Sequence, residues 1–177
     1  MLVDSMIDSH VLDEWRPFFL MIAGASGSLA GLLFVALTLH LQKISTVRLY
    51  RYRARLSLSA VMSVLVMASL VVIPRQSPLS LAVKEAFPLA IIAIVLVMGF
   101  VELRQVADAK RRPYIVRTAA GLVLVIVASV ANFLLGAGRE LGLEILALCC
   151  LLFLAWMVFN AFALIIGLAD ETGQQPD

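Results

Sequence analysis

The chain has 177 residues, of which 62% are hydrophobic and 15% charged, with a formal net charge of +2. Soluble domains run near half apolar and a quarter charged, so this composition excludes an ordinary water-soluble globular fold and points to a bundle of membrane helices. The basic segments are short, each lies beside a long apolar stretch, and no binding fold accompanies them, which excludes a nucleic-acid partner.

Residues 1–16 place Leu2, Val3, Met6, Ile7, His10 and Val11 at helical spacing, with Asp4, Ser5, Asp8 and Ser9 opposite. This pattern predicts a short amphipathic helix. Its polar face is acidic, whereas helices lying on lipid usually carry Lys or Arg there. Docking on the protein's own bundle is therefore as good an expectation as lying on the bilayer. No cleavable signal-peptide pattern is evident, because Asp4, Asp8, Asp13 and Glu14 all precede the first arginine.

Five apolar stretches follow, at about 17–42, 56–73, 86–103, 114–135 and 143–168. Each is long enough for a helix to cross a hydrocarbon core of about 30 Å, which takes about 20 residues. Trp15 precedes the first, where an interfacial aromatic belongs. Pro74 stops the second. Pro88 is expected in the first turn of the third, and Pro113 at the start of the fourth. Gly136, Ala137 and Gly138 read as a tight turn between the fourth and fifth, and the segment from Asp170 onward reads as a polar tail. The fold class is an all-α integral membrane protein with five transmembrane helices and the short amino-terminal helix.

Lys43, Arg48, Arg51, Arg53 and Arg55 separate the first two spans, and Arg104, Lys110, Arg111, Arg112 and Arg117 cluster between the third and fourth. The positive-inside rule puts these two loops in the cytosol. With five spans the amino terminus is then outside and the carboxyl terminus inside. The same loops suit anionic lipid headgroups or a cytosolic partner.

Within the first span, Ala23, Gly27 and Gly31 recur every fourth residue, with Gly24 and Ser28 beside them. Small residues let helix backbones approach closely in lipid. The ridge either packs against other spans of the same chain or forms the contact between copies in a homo-oligomer.

Counting 1.5 Å per residue along each helix brings His40, Arg55, Glu102, Arg117 and Asn160 to one level near the cytosolic surface, with Ser59 and Ser63 following Arg55 at four-residue steps. Ionisable groups at membrane depth are functional candidates by default. One reading is structural: the cations snorkel to headgroups and Glu102 pairs with Arg117 or Arg55. The other is a pore or gate, with Glu102 as its charge and His40 as a pH-sensitive partner.

No HExxH, GxSxG, P-loop or metal-spaced His/Cys cluster occurs, so neither an enzyme nor a cofactor or metal site is expected. Cys149 and Cys150 are adjacent in the last span and read as small packing residues.

The segment 15–41, with Phe18 and Phe19, Gly24, and the run Leu29, Ala30, Gly31, Leu32, Leu33, Phe34, Val35 and Ala36, together with the later Pro74, Arg75 and Gln76, resembles a group of small bacterial membrane proteins, some labelled modulator of FtsH protease. The resemblance implies a bacterial inner-membrane protein with a regulatory role and brings no catalytic residues. Two functions from different classes stand: a homo-oligomeric ion or small-solute channel, and an accessory protein that binds and modulates another membrane complex.

Overall fold

The computed structural model describes residues 9–40, 48–103 and 108–172. Five helices lie among the described residues: α1 (Ser9–Leu39), α2 (Arg48–Val72), α3 (Pro78–Leu103), α4 (Asp108–Gly136) and α5 (Glu140–Thr172). Each contains a segment long and apolar enough to cross a membrane. In hydrocarbon every backbone N–H and C=O must be satisfied within the segment, so runs of this length and polarity have no alternative to the helix. The protein is a polytopic, all-α membrane protein.

Helices α2 to α5 form a closed ring in chain order: α2 packs on α3, α3 on α4, α4 on α5, and α5 back on α2. Short connections between α2 and α3 and between α4 and α5 make these pairs antiparallel, as in up-and-down bundles. Helix α1 stands outside the ring and packs on α2 and α5. Fully buried Met67, Ile92, Leu96, Leu135, Leu146, Phe153 and Met157 fill the ring, while Phe19 and Ile22 fix α1 to it. Large apolar side chains such as Leu32, Phe87, Ile94, Phe133 and Leu152 point outward, which in this chain is the lipid-facing surface.

Local chemistry explains where the helices turn. Ser77 caps α3 by accepting the Ser80 N–H on Oγ at 3.2 Å, and the Leu81 N–H donates to the Ser77 carbonyl at 3.0 Å. Pro78 then occupies the first helical position, where a missing N–H costs nothing. At the end of α4, Gly138 has φ 76°. The Gly138 N–H donates to the Leu135 carbonyl at 2.9 Å and the Arg139 N–H to the Leu134 carbonyl at 3.0 Å. This is a Schellman turn, in which the left-handed residue favours glycine. Arg75, in the α2–α3 turn, also has positive φ, at 56°, but carries a side chain there.

Four expectations change. The separate helix over 1–16 is not seen: residues 1–8 lie outside the described residues, and from Ser9 the chain runs unbroken into α1 through Pro17. The reason is a buried stripe that ignores the proline. Leu12, Phe19 and Ile22 share one face, and Trp15, Phe18 and Phe19 stack around the Pro17 turn with ring centroids 5.3 to 6.3 Å apart. Pro88 lies well inside α3 rather than in its first turn, because α3 starts at Pro78. Helix α4 begins at Asp108, ahead of Pro113, and α5 extends to Thr172, beyond the expected start of the tail.

Candidate functional site

The polar residues expected near the basic end of the bundle are tied mostly into their own helices. His40 Nδ1 lies 3.0 Å from the Ala36 carbonyl. The Ser59 hydroxyl donates to the Arg55 carbonyl one turn earlier. Asn160 is buried and its Nδ2 donates to the Trp156 carbonyl at 2.7 Å. Arg117 stacks over the Phe159 ring at 5.0 Å, next to Asn160, which joins α4 to α5 by a cation–π contact. Arg117 and Asn160 therefore do share a level. Arg55 is exposed. Glu102 sits in the last turn of α3, and its side chain is outside the described residues.

Ser63 is buried and donates across the α2–α3 contact to the Pro88 carbonyl at 3.3 Å. Its hydroxyl serves helix packing there.

The small-residue ridge of α1 divides. Ala23 and Gly27 are partly buried, and a Cβ at Gly27 would meet Leu65 at 4.0 Å. Gly24, Ser28 and Gly31 are exposed, and a Cβ at either glycine would meet nothing within 4 Å. The close helix approaches lie elsewhere. A Cβ at Gly121 would stand 2.7 Å from the Trp156 ring, and one at Gly142 would stand 2.7 Å from the Ala131 carbonyl. At Gly99 the Tyr52 ring end already occupies the Cβ position.

The most unusual group is Glu85 on α3. Its side chain is 0% exposed, inside the ring, and neither carboxylate oxygen has a hydrogen-bond partner. Asn132 on α4 is 9% exposed and donates Nδ2 to the Ala82 carbonyl at 2.9 Å, which leaves its buried Oδ1 without a donor. Ala82 and Glu85 are three residues apart and so neighbours on one face of α3. Across the ring, Cys150 of α5 lies within electrostatic range of Glu85. Neighbouring Lys84 is exposed and donates to Gln76 Oε1 at 3.0 Å.

Hydropathy alone places Glu85 before the third span, because Lys84 and Glu85 together look like a boundary. The cap at Ser77 and Pro78 was the available signal: it moves the helix start back, and adjacent helical residues then point about 100° apart. One faces out and the other into the core. Asn132 was visible as an intramembrane amide, but nothing in the sequence pairs it with α3.

At the Ser9 end of α1, a cleft of about 320 Å³ opens between that helix and the α2–α3 turn. Asp13, Arg16, Arg75 and Gln76 contribute its polar lining, and Arg16 pairs with Asp13 at 3.0 Å. Among the described residues no three His, Cys, Asp or Glu side chains are grouped to hold a metal ion. No family model, curated protein or solved structure matches the chain.

Proposed function

We propose that this is a non-enzymatic accessory membrane protein that works by helix docking. In this reading α1 pairs two copies through the Gly24–Ser28–Gly31 face, and the homo-oligomer binds and modulates another membrane complex. The observation that carries it is the division of α1: one face is fixed to α2 and α5, while the small-residue face is left uncovered. In lipid, close backbone approach and van der Waals packing drive association. A stripe of small residues is also self-complementary, which suits an isologous contact. The sequence resemblance supplies the class of target, a membrane protease in a bacterial inner membrane. The positive-inside rule supplies the orientation, with the amino terminus outside and the carboxyl terminus cytosolic.

The competing reading is a homo-oligomeric ion or small-solute channel. Apart from Glu85 and Asn132 near one end, the ring interior is filled mainly by apolar side chains, and Ser63 is engaged in helix packing. A conduit would therefore have to run between copies. Two measurements separate the readings. Liposomes containing only this protein are expected to show no ion flux, and Ser28→Cys is expected to crosslink copies in native membranes. Gly24→Leu combined with Gly31→Leu should abolish association measured with Ser28→Cys in the same chain. Flux lost on substituting Ser59 and Ser63 would establish the channel instead, and absence of the Ser28→Cys crosslink would remove the docking face.

A further inference from the structure

We propose that Glu85 is a proton-binding site in the interior of the helix ring, where its protonated carboxyl donates a hydrogen bond to Oδ1 of Asn132. This stands apart from the docking role of α1.

The hydrogen-bond inventory leads to it. Oε1 and Oε2 of Glu85 and Oδ1 of Asn132 are all buried and all without a donor. An ionised carboxylate is an acceptor only, and so is an amide oxygen. One N–H of Asn132 Nδ2 is given to Ala82 and the other reaches neither Glu85 oxygen, so the orphaned atoms of the site are all acceptors. A single proton on Glu85 converts one acceptor into a donor and satisfies Asn132 in the same step. Burying a carboxylate in a low-dielectric interior is strongly unfavourable unless it is paired or neutralised.

The surrounding groups support a proton rather than a metal ion or an ion pair. Helix α2, which packs on α3, has no titratable side chain between Arg55 and Arg75. Helix α4, on the other side, has none between Arg117 and Arg139. From α5 come the thiols of Cys149 and Cys150, both buried, while Glu140 at the start of that helix is half-buried and Glu144 is exposed. On α3 itself, Lys84 is exposed and engaged with Gln76. Calcium takes six to eight oxygen ligands, and magnesium near-ideal octahedral geometry. Three orphaned side-chain oxygens fall short of either. Glu85 lies seven residues from the start of α3, roughly 10 Å along the helix from that end of the bundle.

Infrared difference spectroscopy of the full chain in phospholipid vesicles, followed across pH, tests the assignment. The expected result is a carboxylic-acid carbonyl band that shifts in heavy water, is absent in Glu85→Gln, and gives way to carboxylate bands as pH rises. Asn132→Leu should move the band to the higher frequency of an acid that has lost its acceptor. Far-ultraviolet circular dichroism checks that each variant keeps its helices. Should Glu85→Gln not fold, Glu85→Asp keeps the acid and must shift the band. Three outcomes overturn the proposal: no Glu85-dependent acid band at any pH where the helices persist, a band unmoved by Asn132→Leu, or a band that pH does not change. Loss of the band on adding sodium or calcium at constant pH would assign the site to a metal cation instead.

Discussion

Two sets of glycines in this protein do opposite things. Gly99, Gly121 and Gly142 lie within the ring, where a neighbouring side chain or backbone group fills the space a Cβ would need. Gly24 and Gly31 lie on the outward face of α1, where a Cβ would meet nothing. Only the second set forms part of a spaced small-residue pattern. The lesson is that regular spacing marks a surface available for pairing, whereas the glycines that hold a fold together can be isolated. Trp156 and Tyr52 need single notches rather than a groove.

The sharpest way to break this contrast is Gly121→Leu against Gly31→Leu. Overpacking a filled core costs about 1–3 kcal/mol or more, so Gly121→Leu should markedly lower the denaturant midpoint in bicelles and shift Trp156 fluorescence. Gly31→Leu should stay within about 0.5 kcal/mol of the parent, as surface changes usually do. With copies dissociated in excess bicelles, equal losses in the two variants would show that α1 is covered within the chain after all. Next in size is Ser63→Ala. It deletes the hydrogen bond to Pro88, and interhelical bonds of this kind average about 0.6 kcal/mol. A steric-trap or unfolding measurement should register that loss. Smallest is Arg75→Gly, where relief of a left-handed residue is partly offset by the entropy glycine adds to the unfolded chain, so stability should rise by less than about 0.5 kcal/mol. A lower midpoint for Arg75→Gly would mean that the arginine side chain contributes more than its backbone conformation costs.

Much of the architecture is legible in the order of residues. Five apolar runs give five helices, and Gly136, Ala137 and Gly138 give the α4–α5 turn, because both signals depend only on local composition. The helix starts were less accessible. Hydropathy lost α3's first two turns to Lys84 and Glu85, although Ser77 and Pro78 announced them. At the basic end, depth puts Arg117 and Asn160 together but gives none of their contacts. Depth says that Arg117 and Asn160 share a level; it does not say that Arg117 stacks on Phe159. Glu85 escaped for a related reason. Whether a charge points into a ring or out of it depends on which neighbours complete the ring, and that information is tertiary.

The placement of α1 has a consequence for biogenesis. It leaves the ribosome before the other described helices, and although α2 is its main platform, the rest of that platform is α5, about a hundred residues further along the chain. The same helix α5 also closes the ring against α2. Until α5 has been made, α1 has only α2 to rest on, and a chain cut short before α5 would leave both the ring and its outrider unfinished.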